Sequence, residues 1–482
     1  MTAENDGSDD SGEAPVAVVV SEADRASEHV GEQLLDLGEW ETHEDGDRPS
    51  DQGGGVYHRA VDTVVPLEVR TFADLHLRLA APGDAFSATP RLLVFASRHS
   101  GDTGRLLTCH FTGNFGDAEY GGDDRAFAPA APGVQRDLVA AFDAYAPEAY
   151  GVGVECTHHG PTDVSVPSLF AELGSDEAAW DDPAGAAAVA RAIRSLATDA
   201  VTGSAASPAV GETPRHLLGV GGGHYAPRFE RVLRETAWGV GHVASEWQLS
   251  ELGDPEANVD TLRRAVAASD AVAVLADAGG DDAVDALADT DAGVRVVSET
   301  WVRTVDDRAL PFVDAVESAL RPVADGLRFG ARRTDPDGFA VVELPTELLS
   351  AARRVDAEAA REVVFDHAVA VETRENGNRV GDRAALPDGS DDVTAATAYD
   401  AVVDALVTVL REGYDEVERA EGTVTATKTS FDPAAARERG VPEGPAFGRL
   451  ANGQPVEVDG ETVTPGAVST TERETFPVDR DL

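Results

Sequence analysis

Residues 151–163 read GVGVECTHHGPTD and join a short apolar segment to a dense group of side chains that can bind metals or transfer protons. The apolar residues 151–154 are typical of a buried β-strand. Glu155, His158 and His159 follow that strand, and open α/β sheets bind their ligands beyond the ends of such strands. The stretch therefore predicts an α/β fold with a functional site next to this strand.

Two other segments share this arrangement, with a histidine after an apolar run and close to glycine. Residues 97–116 contain His99 and His110, and residues 219–227, which read GVGGGHYAP, contain His224. Glycines between a strand and a helix let backbone N–H groups approach a phosphate or a developing oxyanion. Tight turns use glycine as well, so the three glycines before His224 predict either a binding loop or a turn.

Metal binding is the first hypothesis for these histidines. Imidazole and carboxylate ligands suit zinc, and a catalytic zinc keeps one coordination position open for water. No compact helical motif such as H-E-x-x-H occurs in the chain. Each histidine taken singly could be structural, but several of them close to strand ends and glycines favour a shared site. The candidate metal ligands are His99, His110, His158 and His224.

The candidate catalytic residues are Glu155, His158 and His159. Glu155 is expected to act as a metal ligand or as a general base. His158 and His159 are adjacent, and successive side chains of a regular strand point to opposite faces. We therefore expect one of these histidines to bind metal or substrate and the other to have a different role.

Acidic residues dominate the charged composition. The chain has 482 residues, and 88 Asp and Glu against 39 Lys and Arg give a net charge of −49. Lys428 is the only lysine, yet 42% of the residues are hydrophobic, which argues against a disordered acidic chain. Such a composition is typical of a salt-saturated cytoplasm, where the Debye length falls to about 3 Å at 1 M salt. Because repulsion is then screened, the charge does not exclude an RNA substrate.

Cys109 and Cys156 are the only cysteines, which excludes a disulfide framework and favours a reducing cytoplasm. Each lies close to a histidine, so each is either a metal ligand or a small buried residue. The acidic N-terminus lacks the features of a signal peptide. No apolar run approaches the roughly 20 residues of a membrane span. We therefore expect a cytoplasmic protein with no membrane partner.

Strand and helix patterns alternate over residues 15–325, which predicts an α/β domain with a largely parallel or mixed sheet. Beyond residue 335 the pattern changes, and a smaller α+β extension is expected. The predicted organisation is an acidic disordered tail (1–13), a catalytic domain (14–330) with an inserted loop (200–213), and a C-terminal extension (331–482).

Some local predictions bear on the fold. Residues 21–37 are expected to form a helix with Ser21 as its cap, and residues 41–55 an acidic, glycine-rich loop. In the extension, helical patterns at 345–364 and 399–412 are separated by a charged stretch at 375–392 that is typical of a loop.

Five blocks of sequence surround the histidines and keep a fixed order within residues 15–325. They are Ser97-Arg98-His99-Ser100, Thr112-Gly113-Asn114-Phe115-Gly116, Glu155 with Thr157-His158-His159-Gly160-Pro161-Thr162, Val166-Pro167-Ser168-Leu169-Phe170 with Glu172, and Gly221-Gly222-Gly223-His224-Tyr225-Ala226-Pro227. Together these blocks resemble the archaeal and plant type of D-aminoacyl-tRNA deacylase.

This resemblance implies a core related to the phosphorylase and peptidyl-tRNA hydrolase folds. It also implies zinc-dependent hydrolysis of the ester bond in D-aminoacyl-tRNA, a chiral proofreading reaction that removes D-amino acids from tRNA. The number of zinc ions per chain, one or two, stays open, and a monomer is expected. The substrate-binding residues that the resemblance indicates are Arg98, Thr112, Asn114, Gly221, Gly222, Gly223 and Tyr225.

Arginines are candidates for the terminal phosphates of the tRNA, because guanidinium groups bind phosphate through two parallel hydrogen bonds. On an acidic protein they could equally be paired with carboxylates. The candidates are Arg98, Arg215, Arg228 and Arg231.

Two alternative functions compete with the deacylase. Residues 431–453 resemble a short segment of ribonuclease Z, which suggests a nuclease that processes the tRNA 3′ end, or else a packing arm rich in Pro and Gly. The nuclease requires a H-x-H-x-D-H metal motif, and the chain has none. The second alternative is a non-catalytic tRNA- or nucleotide-binding module, which would need neither metal nor His158.

Overall fold

The computed structural model describes residues 13–198, 214–290, 293–389 and 394–479. The predicted inserted loop at 200–213 lies outside the described residues, and so does the predicted tail at 1–13 except for Glu13. In the described part of the chain, no helix combines the length and the apolar character needed to cross a membrane.

The chain divides into two compact units, Met1–Asp307 and Arg308–Leu482. This division falls earlier in the chain than the boundary expected near residue 330. The helix Leu310–Ala319, assigned to the first domain from the sequence, belongs to the second unit. Its Phe312 ring contacts the ring of Phe339, which lies beyond the expected boundary.

Two sheets form the first unit. The strands of the larger sheet are β1 (Val16–Ser21), β2 (Trp40–Asp45), β3 (Gly55–Ala60), β4 (Leu67–Phe72), β5 (Leu92–Arg98), β6 (Leu106–His110), β7 (Gly151–Val154) and β8 (Ser168–Gly174). The strands of the smaller sheet are β9 (His216–Val220), β10 (Gly239–Ala244), β11 (Ala273–Ala276) and β12 (Arg295–Val297).

The larger sheet has the strand order β2-β3-β4-β1-β5-β8-β6-β7. Strands β4, β1, β5 and β8 are parallel, whereas β6 runs antiparallel to β8 and parallel to β7. The smaller sheet is entirely parallel, in the order β10-β9-β11-β12. The predicted α/β fold with a mixed sheet is therefore confirmed.

The central strands are continuous apolar runs, as expected for strands covered on both faces. All six residues of β1 are buried, and so are all seven of β8. The helices in the described residues of the first unit are α1 (Arg25–Leu35), α2 (Pro132–Tyr145), α3 (Glu177–Trp180), α4 (Pro183–Thr198), α5 (Pro227–Glu235), α6 (Glu246–Leu252), α7 (Val259–Ala268), α8 (Asp281–Ala288) and α9 (Glu299–Thr304).

The prediction that Ser21 caps the first helix is wrong. Ser21 is the last residue of β1, and its hydroxyl donates to the carbonyl of Asp74 at 2.8 Å. Helix α1 begins at Arg25, and the Asp24 carboxylate accepts hydrogen bonds from the backbone N–H groups of Ala26 and Ser27. Serine and aspartate are both favourable caps, so the local pattern alone did not choose between them.

The prediction of a loop at residues 41–55 is correct for residues 46–54. It is wrong for 41–45 and for 55, which belong to strands β2 and β3 of an antiparallel hairpin. The buried Arg70 guanidinium on β4 fixes this edge through Glu68 at 2.7 Å and Asp45 at 2.8 Å. Both strands of the hairpin are largely half-buried or exposed. They therefore lack the apolar alternation by which a strand is recognised.

The second unit is α+β, as predicted. Its first sheet is antiparallel, with the order β13-β15-β16-β14, formed by β13 (Leu327–Phe329), β14 (Phe339–Glu343), β15 (Ala370–Arg374) and β16 (Arg379–Pro387). Its helices are α10 (Leu310–Ala319), α11 (Thr346–Val355), α12 (Ala357–His367) and α13 (Ala395–Leu410).

Strand β16 covers residues 379–387 of the charged stretch 375–392, so the prediction of a loop is wrong for that half of the stretch. Its inward positions, including Ala384 and Leu386, pack into the apolar core of this unit. The charged residues that precede these positions in the strand are exposed or half-buried and obscure its apolar character. The helical pattern at 345–364 forms two helices, because Asp356 ends α11 and caps α12 with its carboxylate.

The chain ends in a smaller group of strands and helices. These are β17 (Glu416–Ala420), β18 (Thr423–Phe431), α14 (Pro433–Glu438), α15 (Pro445–Ala451), β19 (Val456–Val458), β20 (Glu461–Val463) and β21 (Ser469–Pro477). The two helices fall in the segment that resembles ribonuclease Z, and they pack around a small core that includes Ala436 and Leu450. The function of that segment stays a prediction.

Candidate active site

The predicted site residues gather over strand β8, at the place where the strand direction of the larger sheet reverses. His110 ends β6 and is paired with Phe170 of β8, and the two rings are stacked with centroids 5.1 Å apart. Glu172 lies two residues further along β8 and so on the same face. Because β6 is antiparallel to β8, the two strands do not end at the same edge of the sheet. The site therefore lies on the face of the sheet and not at an edge.

A cluster of histidine rings covers this face. The His158 ring centroid lies 4.1 Å from that of His110, 4.5 Å from that of His159 and 4.9 Å from that of His224. The last residue of β6 and the loops after β7 and β9 contribute these four side chains. The structure therefore brings together histidines that are more than 100 residues apart in the chain.

Glu155 lies at the centre of the cluster. Its Oε2 is 2.7 Å from His224 Nε2, 3.6 Å from His99 Nε2 and 4.0 Å from His158 Nε2. Burial acts to raise the pKa of this carboxyl, but the hydrogen bond from His224 and the nearby histidines outweigh it and lower the pKa to about 2. Glu155 is therefore a buried, ionised carboxylate.

His158 and His159 were expected to point to opposite faces, as neighbours in a regular strand do, but in the structure both belong to the same cluster. The chain has left strand β7 at Val154, and His159 has a left-handed backbone with φ of 46°. His158 Nδ1 contacts the carbonyl of Cys156 at 2.8 Å, and His159 Nδ1 contacts that of Gly160 at 2.7 Å. Each Nδ1 must carry the proton to donate to a carbonyl, which leaves both Nε2 atoms with free lone pairs.

Two groups of three side chains could each hold a metal ion. The first is His110, His158 and His159, and the second is Cys156, His158 and His224, with the ligand atoms of each group within 4.8 Å of one another. His158 belongs to both groups. Burial and neighbouring histidines hold the pKa of His158 and His159 well below the usual value, so both rings are neutral, the form that binds metals.

The groups differ from the predicted ligand set in three respects. His159, predicted as a catalytic residue, belongs to the first group. His99 is in neither group; its Nδ1 contacts the hydroxyl of Ser175 at 2.8 Å and its Nε2 faces the Tyr225 hydroxyl at 3.3 Å. Cys156, which the sequence left between a ligand and a small buried residue, lies in the second group, with its Sγ 3.4 Å from His224 Nδ1.

Glu172 adds a second carboxylate beneath the histidines, with its Oε1 3.5 Å from His110 Nε2. Burial raises the pKa of Glu172 to about 7. Burial would lower the pKa of His110, but the Glu172 and Glu155 carboxylates outweigh it and raise that pKa. The buried pair therefore holds a proton close to the cluster.

A cavity of about 470 Å³ opens onto these side chains. Of the predicted substrate-binding residues, Arg98 lines the cavity, and Tyr225 reaches its wall through His99. Thr112 and Asn114 instead brace the surrounding loops. The Thr112 hydroxyl donates to the carbonyl of Pro161 at 2.7 Å, and the Asn114 amide donates to that of Gly121 at 3.0 Å.

The three glycines before His224 form a turn between the smaller sheet and helix α5. The amides of Gly221 and Gly222 already donate to the carbonyls of Ala244 and Ala278. These two N–H groups are therefore engaged, which leaves Gly223 as the glycine of the run whose surroundings are open. Of the two alternatives for this run, the turn is the one the contacts support at Gly221 and Gly222.

The other candidate arginines are engaged elsewhere. Arg228 and Arg231 contact the Glu299 carboxylate at 3.3 and 2.8 Å, and Arg215 donates to the carbonyl of Val305 at 3.0 Å. None of them is among the residues that line the cavity. Arg98 differs, because its guanidinium lies over the Trp180 ring at 5.5 Å from the centroid.

Several residues that line the cavity were not among the sequence candidates. Glu172 could have been recognised, because it is the one charged residue in the apolar strand β8. Nothing in the local sequence marks the others, since their elements approach the site only in the folded chain. Among the additional lining residues are Asp24, His76, Tyr120, Glu172 and Trp247.

His242 supports the loop of the paired histidines and gives a testable dependence of stability on pH. It is fully buried, its Nδ1 lies 3.0 Å from the Thr157 hydroxyl and its Nε2 lies 3.0 Å from the carbonyl of Ala128. Burial lowers its pKa to about 4. The neutral form is therefore favoured in the folded chain, whereas the unfolded chain takes up a proton below pH 6.5.

The stability that neutral His242 provides should be fully present above pH 6.5, decline as the pH falls towards 4, and level off below that. Over this window the wild type should lose about 3 kcal/mol more of its free energy of unfolding than His242→Gln. Urea titrations at pH 7 and pH 4 in molar KCl measure this difference. Equal losses in the two proteins would show that His242 is not the responsible group.

A mixed α/β sheet that carries a buried carboxylate within a histidine cluster defines a protein with a site for acid–base or metal chemistry. The sequence model of the family described as D-aminoacyl-tRNA deacylase matches residues 86–287. A D-aminoacyl-tRNA deacylase of Halorubrum lacusprofundi is 50% identical to the chain, over 96% of the chain and 97% of that protein. One from Haloarcula marismortui is 48% identical, over 93% and 97% respectively.

The chain belongs to the D-aminoacyl-tRNA deacylase family. Among solved structures it is similar to a conserved protein of unknown function, with a TM-score of 0.50 and 25% identity. That similarity covers 59% of this chain and 95% of the other.

Proposed function

We propose that the protein hydrolyses the ester bond of D-aminoacyl-tRNA and releases the free D-amino acid and tRNA. Family membership supports the substrate. The observation that carries the chemistry is Glu155, a buried and ionised carboxylate held among histidines at a cavity large enough for an aminoacyl group. An ionised carboxylate in such a position can accept a proton from water.

The donor atoms of the site fit zinc. Among the described residues, His110 Nε2 and Glu155 Oε1 are buried without a hydrogen-bond partner, and imidazole, thiolate and carboxylate are the ligands that zinc takes. We place a zinc ion in the group formed by His110, His158 and His159, and a second would take the group with Cys156. When bound, zinc supplies a Lewis acid that polarises a carbonyl and lowers the pKa of water.

Glu155 and His224 form the pair that moves protons in this proposal. A water oxygen bonds to the ester carbonyl carbon as Glu155 takes its proton. His224, whose Nε2 lies 2.7 Å from Glu155, donates its Nε2 proton to the ribose oxygen as the ester bond breaks. The proton on Glu155 then returns to His224 across their 2.7 Å hydrogen bond, and the site is restored.

Chiral selection requires that only the D isomer places its carbonyl next to Glu155, because attack depends on near-ideal alignment of the reacting atoms. In the cell this reaction would be chiral proofreading of tRNA and removal of toxic D-amino acids. The acidic composition and the haloarchaeal relatives support a cytoplasm of high salt as its location.

The experiment that tests this function compares D-tyrosyl-tRNA with L-tyrosyl-tRNA in molar KCl, with and without a chelator. We expect release of tyrosine from the D substrate only, loss of activity on chelation and recovery with zinc. If the folded, zinc-loaded protein releases neither amino acid, the deacylase proposal is wrong and a non-catalytic tRNA-binding module becomes the leading alternative.

A further inference from the structure

Exposed aromatic side chains are concentrated around the mouth of the active-site cavity. Among the described tyrosine, tryptophan and phenylalanine residues, four are more than a third exposed: Tyr120, Tyr145, Tyr225 and Trp247, at 55%, 39%, 36% and 43%. Tyr120 and Trp247 line the cavity, and the hydroxyl of Tyr225 contacts His99 in its wall. Exposed rings of this kind are characteristic of binding surfaces for planar groups.

Trp247 lies beside the reacting centre. It is on helix α6, and its ring centroid is 6.4 Å from that of His224, with the two planes inclined by 40°. His224 in turn contacts Glu155 at 2.7 Å. Only the His224 ring therefore separates Trp247 from Glu155. This spacing suits a nucleotide whose base stacks on Trp247 and whose ribose carries an ester next to Glu155.

Tyr120 approaches from another part of the chain. Its carbonyl accepts a hydrogen bond from the Gly160 amide at 3.2 Å, which ties its loop to the paired histidines. Gly160 is required at this contact, because a Cβ atom there would lie 2.4 Å from the Gly122 amide nitrogen. The loop that carries Tyr120 is thus fixed against the loop that carries His158 and His159.

The charge of the protein argues against phosphate groups as the main source of affinity for RNA. The chain carries 88 acidic and 39 basic residues, and Arg228 and Arg231 are bound to Glu299. Phosphate contacts also weaken steeply as salt concentration rises. Stacking of bases on aromatic side chains does not depend on releasing counterions, and every base has a face that can stack.

We propose that Trp247 and Tyr120 form a stacking platform for the unpaired bases at the 3′ end of the RNA substrate, with the terminal adenine on Trp247. This inference rests on the proposed function, which places an aminoacylated 3′ end in the cavity. The platform holds the terminal nucleotide so that its ester faces Glu155. Recognition of the RNA end then depends on rings and not on positive charge.

The test measures binding of the trinucleotide CpCpA, carrying a 5′ fluorescent label, by fluorescence anisotropy in 2 M KCl. The variants are Trp247→Ala, Trp247→Phe and Tyr120→Ala, and the matched control is Tyr145→Ala, an exposed tyrosine at the end of α2 outside the cavity. We expect Kd to rise about 10- to 100-fold in Trp247→Ala, in line with the loss of one stacked base. Trp247→Phe should keep most of the affinity, and Tyr145→Ala should match the wild type.

A second measurement separates stacking from charge. Between 1 and 3 M KCl, Kd of the wild type should change by less than about 2-fold, whereas binding through both phosphates of CpCpA would raise Kd about 5-fold. The proposal is overturned if the wild type shows no binding of CpCpA at millimolar concentration, if Trp247→Ala binds as the wild type does, or if affinity falls steeply with salt.

Because binding does not require hydrolysis, this result is independent of the deacylase assay. If CpCpA binding depends on Trp247 but no D-tyrosine is released, the stacking platform is supported and the proposed reaction is refuted. Hydrolysis with a KM that is unaffected by Trp247→Ala would refute the platform alone.

Discussion

Replacing Glu155 with glutamine is expected to lower kcat for D-tyrosyl-tRNA by about 10²- to 10⁴-fold, the usual contribution of a positioned acid or base. Glutamine keeps the shape of the side chain but cannot accept a proton from water. The carboxylate also holds His224 at 2.7 Å and faces His99 at 3.6 Å, so both imidazoles lose their charged partner. Single-turnover measurements of deacylation would isolate the chemical step.

The matched control for this variant is Glu235→Gln. Glu235 is on α5 in the same unit, and its carboxylate pairs with Arg303 at the surface. It should keep wild-type kcat, since a surface ion pair contributes little and lies away from the cavity. A Glu155→Gln enzyme that retained more than about a tenth of wild-type kcat would remove Glu155 from the role of general base.

The second large effect is expected for His158→Ala, which should lose bound zinc and, with it, activity. His158 is the one side chain that belongs to both groups of metal-binding residues. Removing it leaves two protein ligands in each group, fewer than the three that catalytic zinc sites keep. Zinc content after gel filtration, measured by mass spectrometry, gives the result without reference to catalysis.

Variants of single groups make this prediction specific. His159→Ala should disturb the first group and Cys156→Ser the second, so a chain that binds two ions should retain about one in each variant. His58→Ala, on the hairpin strand β3 and outside both groups, is the control and should keep the wild-type stoichiometry. Full zinc content in His158→Ala would show that neither group is the metal site.

The sequence predicted the parts of the fold whose residues carry their own signal. The apolar runs of β1, β5 and β8 were found because strands buried on both faces contain little else. The hairpin of β2 and β3 was missed because its exposed, acidic residues show no alternation, and what makes them strands is pairing with a neighbour. Strand β16 was missed because exposed and half-buried charged residues obscure its apolar character.

The sequence predicted which residues form the candidate site better than it predicted how those residues are arranged. Motifs in the sequence identified Glu155, His158 and His224, and the structure brings all three into contact. The spacing of residues in the sequence could not show what His99 contacts, because Ser175 and Tyr225, which contact its ring, come from distant segments. Trp247 was missed for a related reason, since only the packing of α6 places it at the cavity.

Strand β8 lies between β5 and β6, although β5 and β6 are consecutive in the chain. During synthesis from the N-terminus, β5 and β6 are therefore made before the strand that must separate them. His110 has no Phe170 or Glu172 to rest on until residue 174 has been added, and Glu155 has no partner in His224 until β9 follows. The histidine cluster can therefore be complete only after His224 has been added, and shorter nascent chains carry His110, His158 and His159 without the full site.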